Sequence, residues 1–279
     1  MSELNRRRFL GTLAAAIVTS VGVARCTVGG AAPTLARATD PTPSPSPVGP
    51  AAPPAAEPAP LLPPPPRAAR VALPGGGILD RLPGDGDLLA LTVDDGASTD
   101  VVRMYTEFAR DTGVRLTYFL NGTYASWTDN MDLLRPLVES GQIQLANHTW
   151  SHPDLTTVSK SRVADEIRRN HEFILKTYGV DARPYYRPPY GNHDATVRAV
   201  AADAGYTETT VWSGSLADST KITEAYIVEM ATKYFMAGNI VLGHLNHLPV
   251  THVYPQLVGL IRDRNLRTVT LDDVYAGPA

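Results

Sequence analysis

The sequence predicts an α/β fold, a closed or nearly closed (β/α)7-type barrel preceded by a signal segment and a disordered proline-rich linker. Three observations carry this. From residue 88 onward, short apolar runs alternate with amphipathic helical segments, the pattern of a parallel sheet with helices packed outside it. There are seven such runs, which fit a closed or nearly closed barrel better than a two-sided open sheet. Side chains able to carry chemistry follow the carboxyl ends of these runs, and in a parallel barrel those ends form one face.

The first 38 residues read as an export signal. Arg6-Arg7-Arg8 precedes Phe9-Leu10 and an apolar run over 13–24. Adjacent arginines followed by Phe-Leu resemble the twin-arginine signal, which exports folded proteins. Ala36-Arg37-Ala38 offers a small-x-small cleavage site. The run contains Thr19, Ser20 and Gly22 and is short for a membrane span, although an uncleaved membrane anchor stays open as the alternative. Cys26 is the only cysteine, so neither an internal disulfide nor a cysteine metal site is available. It stands where a lipoprotein cysteine would, but with Arg25 where a small residue is expected. Lipid attachment is thus weighed against a cysteine discarded with the signal.

Residues 39–70 are dominated by proline, alanine and serine, with Pro63 to Pro66 consecutive, and are expected to form a disordered, extended spacer. Residues 71–279 are long enough for one well-buried domain. They hold 18 Lys and Arg against 25 Asp and Glu, a net charge of −7. Such a domain is not built for nucleic acid or another polyanion.

Residues 88–93 are apolar except for Thr92 and bounded by Gly86 and Gly96, as suits a buried strand. Val101, Tyr105, Phe108 and Ala109 then recur at helical spacing, with Gly113 as the stop. Further strands are expected at 116–120, 143–147, 184–187, 208–212, 239–243 and 267–271. Helices are expected near 132–140, 159–178, 194–204, 223–236 and 253–264.

Asp94-Asp95-Gly96 closes the first run, and His148-Thr149-Trp150-Ser151-His152 follows the third. One carboxylate and two histidines make a facial set of ligands for a divalent metal, most readily Zn2+ by ligand type, with positions left open. The i, i+4 spacing would bring both rings to one side of a helical turn. The second carboxylate then stands where a general base belongs. Arg187 ends the fourth strand, Asp218 follows the fifth and His244 the sixth.

These residues resemble the polysaccharide deacetylase family (carbohydrate esterase family 4), whose fold is a distorted (β/α) barrel. The resemblance covers 88–273 and rests on five motifs in the family's order. Thr92-Val93-Asp94-Asp95-Gly96 differs from the usual pattern only by Val93 for a common Phe, and implies Asp94 as base and Asp95 as metal ligand. The His148 to His152 segment matches His-Ser/Thr-x-x-His in full and implies two more ligands. Arg187-Pro188-Pro189-Tyr190-Gly191 matches the third motif, its prolines fixing the backbone. It implies that Arg187 pairs with Asp94 and that the Tyr190 backbone N–H helps bind an oxyanion.

The fourth motif departs. Trp212, Ser215, Asp218 and Ser219 stand where the family commonly has Trp, Asp, Asp and Trp. Asp218 keeps the carboxylate that would orient the catalytic histidine. Ser219 replaces an aromatic that normally walls the acetyl pocket, which leaves substrate choice open. Leu242-Gly243-His244 matches the fifth motif and implies His244 as the acid. His193, His247 and His252 match no motif, with His193 and His247 able to line the cleft.

The implied reaction is metal-dependent removal of N-acetyl groups from a glycan, with release of acetate. Export points to cell-wall peptidoglycan sugars. The alternatives are an O-acetyl glycan esterase, a non-catalytic glycan-binding module and a peptidoglycan amidase.

Overall fold

A segment that is apolar on both faces, as 88–93 is, belongs at the centre of a covered sheet. The computed structural model, which describes residues 61–65 and 70–276, places it there. The expected export signal and membrane or lipid attachment, and residues 39–60 and 66–69 of the expected spacer, lie outside the described residues. The strands are β1 (Ile78–Leu79), β2 (Leu88–Asp95), β3 (Leu116–Leu120), β4 (Ile143–Asn147), β5 (Tyr185–Tyr186), β6 (Glu208–Thr210), β7 (Gly214–Ser215), β8 (Ile240–His244) and β9 (Arg267–Val269). Their order is β1-β6-β5-β4-β3-β2-β8-β7, and every pairing is parallel. β2 has β8 along one edge; its other edge takes β3 in its carboxyl half and β9 in its amino half. The chain after β1 reaches across to the start of β8, where the Leu82 N–H donates to the Gly238 carbonyl at 2.9 Å. The sheet therefore curls into the nearly closed barrel that the seven runs favour, distorted as the family resemblance implies.

The helices outside it are α1 (Thr99–Thr112), α2 (Ser126–Asp129), α3 (Met131–Glu139), α4 (Lys160–Tyr178), α5 (Ala195–Asp203), α6 (Glu224–Tyr234), α7 (Tyr254–Asp263) and α8 (Leu271–Val274). Three of the starts expected from sequence, Ser159, Asp194 and Thr223, prove to be caps, and Ser98 caps α1; each accepts a backbone N–H of the first turn, worth about 1 kcal/mol apiece. α1 buries Val101, Val102, Tyr105, Phe108 and Ala109, and Phe108 stacks on Tyr254 of α7 at 4.1 Å.

Period-2 alternation divides the strands between two clusters. Leu89, Leu91, Val93, Leu116, Tyr118 and Leu120 face the helices, whereas Ala90, Phe119, Ala146, Tyr185, Ile240 and Val269 fill the barrel. Continued to the carboxyl ends, the inner rows reach Asp94, His148, Arg187 and His244. The barrel's own parity thus aims four of the predicted site residues inward.

Three expectations need correction. The strand expected at 267–271 stops at Val269, because Thr270 forms a capping box with Asp273 and starts α8. The strand expected at 208–212 ends at Thr210, and the two-residue β1 and β7 are too short to show periodicity. Leu62, assigned to the spacer, is buried in the core, and its N–H donates to the Thr112 carbonyl at 2.7 Å. Gly113 makes room for it: at φ 79°, an added Cβ would lie 2.8 Å from the Leu62 carbonyl oxygen.

Candidate functional site

Asp94 and Arg187 meet at the top of the inner rows. Both are buried, and Arg187 Nη1 donates to Asp94 Oδ1 at 2.6 Å. The guanidinium also donates through Nε to the Thr210 carbonyl and through Nη2 to the Val211 carbonyl, both at 3.2 Å. It lies 4.1 Å over the Phe119 ring. Burial lowers the Arg187 pKa, an effect that the Asp94 carboxylate opposes.

Asp95 breaks the alternation. Its φ of 77° is left-handed, and this turns its carboxylate toward the same centre instead of outward. Gly96 follows at φ 104°, where an added Cβ would stand 2.3 Å from the Trp127 indole. Asp95 Oδ1 lies 3.4 Å from His148 Nε2 and 3.5 Å from His152 Nε2. The i, i+4 pair does not sit on a helical turn as expected. It spans a loop in which Thr149 and His152 are both left-handed, at φ 71° and 60°, and the rings meet edge-on at 4.8 Å.

The donor set fits a metal ion. The three ligand atoms lie within 4.8 Å of one another. Two donors each about 2.1 Å from one ion at a tetrahedral angle stand roughly 3.4 Å apart, close to the two separations from Asp95. His148 Nδ1 bonds the Arg187 carbonyl at 2.8 Å, which needs an N–H there and reserves Nε2 for a ligand. Burial opposes charge on His148, but Asp94 and Asp95 outweigh it and raise the pKa. Burial and the neighbouring His148 lower that of His152 to about 4. Burial would likewise raise the Asp95 pKa, but His148 and His152 drive it well below the usual range.

On β8, the strand beside β2, His244 pairs with Asp94 in register. Asp218 Oδ1 holds His244 Nδ1 at 2.9 Å, and its Oδ2 accepts the His244 backbone N–H at 3.2 Å. Burial works against protonation of His244, but the Asp218 bond outweighs it and raises the pKa. Tyr190 is left-handed at φ 60° and 65% exposed, its ring set edge-on to His152 at 4.6 Å. Asp94, Asp95, His148, His152, Tyr190 and His244 line one cleft of about 490 Å³, joined there by Trp212, Ser215, Ser219 and Thr220. Arg187 and Asp218 stand behind the residues they orient. His193 and His247 are not among the residues lining the cleft, and the exposed His252 pairs with Glu224 at 2.6 Å.

A family model described as Polysaccharide deacetylase matches residues 81–209, the segment that carries both Asp94-Asp95 and the two histidines. The chain belongs to the polysaccharide deacetylase family. It is 31% identical over 138 residues to chitin deacetylase 1 of Cryptococcus neoformans, covering 50% of this chain and 28% of that protein. It is 30% identical over 191 residues to the peptidoglycan-N-acetylglucosamine deacetylase PgdA of Listeria monocytogenes, covering 67% of this chain and 38% of that one. The chain therefore spans well under half the length of these relatives. A family 4 carbohydrate esterase from Streptomyces lividans, solved in complex with acetate, superposes with a TM-score of 0.60 at 27% identity, over 70% of this chain and 99% of that one.

Sequence reasoning missed the polar scaffold beneath this site. Asn121 Nδ2 donates to the His148 and Thr149 carbonyls, and Asn147 Oδ1 accepts the Thr149 N–H at 2.8 Å. Asn170 joins them, donating to Asn147 Oδ1 at 2.9 Å and accepting the Gly122 N–H at 2.8 Å. Glu166, buried on α4, accepts both the N–H and the hydroxyl of Ser151 at 2.7 Å. Asn246, after β8, donates to Asp95 Oδ2 at 2.6 Å. Tyr124 also stands near the cleft; burial raises its pKa, with Asp95 and Tyr190 adding to the effect. Asn121, Asn147 and Asn246 had only one sequence signal, a polar residue ending or just after an apolar run, and Asn170 had none.

Proposed function

We propose that this chain is a metal-dependent N-deacetylase of a cell-wall glycan, most readily peptidoglycan, acting on N-acetylglucosamine or N-acetylmuramic acid and releasing acetate. The observation that carries this is the convergence on one cleft of a carboxylate fixed by an arginine, a three-donor metal set and a histidine fixed by a second carboxylate. Asp95, His148 and His152 would hold a divalent ion, Zn2+ by donor type. When bound, it supplies Lewis acidity that polarises a carbonyl and makes water a better nucleophile near neutrality.

The chain's own groups do the rest. Asp94 is positioned by Arg187 to accept the proton of the attacking water. The Tyr190 N–H, in its left-handed turn, is offered to the oxyanion that develops on the acetamide. His244 has Nδ1 committed to Asp218, so Nε2 is the atom that protonates the departing nitrogen. An amine leaves poorly until protonated, and the raised pKa of His244 keeps that proton available. The products are acetate and a free-amine sugar.

The export signal read in residues 1–38 and the proline-rich spacer after it support an extracytoplasmic position near the wall, with 71–279 as the catalytic domain, onto which Leu62 of the spacer packs. The likeness to a peptidoglycan deacetylase supports the same substrate. The test is acetate release from purified cell wall, with and without chelator, followed by mass analysis of the sugar that lost its acetyl group. His152→Ala should lose metal and activity together; unchanged metal content and rate would sink the ligand set. Release only from O-acetylated glycan would make the chain an esterase, and binding without release a glycan-binding module.

A further inference from the structure

We infer that Asn246 is a positioning residue of the metal centre, fixing which oxygen of Asp95 is presented to an ion. The inference rests on the metal reading above and adds a residue that no motif includes. A carboxylate has two equivalent oxygens and turns readily about its Cβ–Cγ bond. In Asp95 they are not equivalent. Oδ1 is the oxygen within 3.4–3.5 Å of both imidazole Nε2 atoms, and Oδ2 receives Asn246 Nδ2 at 2.6 Å. With Oδ2 so occupied, Asp95 offers a single oxygen, and rotating it would break the Asn246 bond.

Asn246 is itself held. Its Oδ1 accepts the Ala97 N–H at 3.1 Å, which fixes the amide with its nitrogen toward Asp95. The flanking backbone clamps the same two loops: the Leu245 N–H donates to the Asp94 carbonyl at 2.9 Å, and the Ser98 N–H to the Leu245 carbonyl at 3.2 Å. The loop that carries His244 therefore also aims the carboxylate ligand. Acid and metal ligand are set by one short segment, and outer partners of this kind tune affinity as well as orientation.

The experiment measures Zn2+ affinity by chelator competition, beside the melting temperature of the metal-free protein. Asn246→Leu keeps the shape and removes both polar contacts, with Asn246→Ala as the second variant should the first fail to fold. Zinc should bind about 10–100-fold more weakly to either. Ser98→Ala is the control: it removes the side-chain acceptor for the Val101 N–H in the same turn without touching Asp95. It should lower the melting temperature and leave zinc affinity unchanged. An Asn246 variant within roughly twofold of wild type overturns the inference. So does Ser98→Ala weakening zinc as much as Asn246→Leu, which would mean that loop integrity alone matters. Wild-type protein that binds no zinc, or His152→Ala that binds it equally well, removes the metal reading itself, and the inference with it.

Discussion

Removing the Arg187 side chain tests whether the base is held by a buried charge pair or by the surrounding fold. Arg187 is fully buried and Asp94 is 3% exposed, so neither has water to fall back on. At the 2.6 Å separation of Nη1 and Oδ1, their attraction is about 6 kcal/mol at an effective dielectric of ~20. Desolvation of the guanidinium opposes it, as the lowered Arg187 pKa shows. Breaking such a pair from one side typically costs about 3–5 kcal/mol, because the remaining charge is stranded. Arg187→Met keeps the volume and the contact with Phe119 but strands Asp94 and leaves the Thr210 and Val211 carbonyls short of a donor. At about 2–4 °C per kcal/mol for a domain of this size, the melting temperature should fall by roughly 6–20 °C. The assay is urea and thermal unfolding of chelated protein, so that metal binding does not mask the loss. Adding Asp94→Asn should restore part of the stability, since the stranded charge is gone. A loss below about 1 kcal/mol for Arg187→Met, or a double variant no better than the sum of the singles, would refute the reasoning.

Asp94→Asn and His244→Ala should each slow the chemical step by about 10²–10⁴-fold on an acetamide while retaining metal. On an activated ester, whose leaving group needs no proton, His244→Ala should recover much of its rate and Asp94→Asn should not; equal impairment on both substrates would make His244 structural. The raised pKa of His244 holds the acid form above its ordinary 6.5, and the rate falls as pH rises through that raised value. Asp218→Asn removes the main cause and should move the alkaline limb of the kcat profile to lower pH; an unmoved limb assigns it to another group. Gly96→Ala meets the Trp127 indole at 2.3 Å from a left-handed backbone, and should cost about 2–5 kcal/mol in urea unfolding.

The parts of this site legible in the sequence are those set by strand parity. Once 88–93 is read as a strand, Asp94 follows the inner row of Ala90 and Thr92, just as His244 follows Ile240 and Leu242. Cap residues were legible for the same reason, since Ser159, Asp194 and Thr223 act on N–H groups only three residues away. What was not legible depends on partners distant in sequence. Asn246 matters because it lies against Asp95, 151 positions away, and Glu166 because α4 packs under the loop of Ser151. Spacing misled once. Four residues between histidines suggested a helical turn, but the left-handed Thr149 and His152 bring the rings together by another route.

Those left-handed residues explain why the scaffold is so extensive. Six described residues other than glycine have positive φ, and five of them, Asp95, Thr149, His152, Tyr190 and Ala217, belong to the segments around the cleft. Each conformation costs on the order of 1–2 kcal/mol, so together they oppose folding by roughly 5–10 kcal/mol. Thr149 is held by Asn147 on its N–H and Asn121 on its carbonyl, the neighbouring Ser151 by Glu166, and Ala217 by the Ser215 hydroxyl at 2.9 Å. Each such bond contributes about 0.5–1.5 kcal/mol net, and more where the acceptor is charged. The bends aim side chains that parity alone would send elsewhere, with Asp95 the clearest case. Grafting the five motifs onto another parallel barrel would therefore supply the donors without the backbone that makes them converge. Asn121, Asn147, Glu166 and Asn246 would have to travel with them.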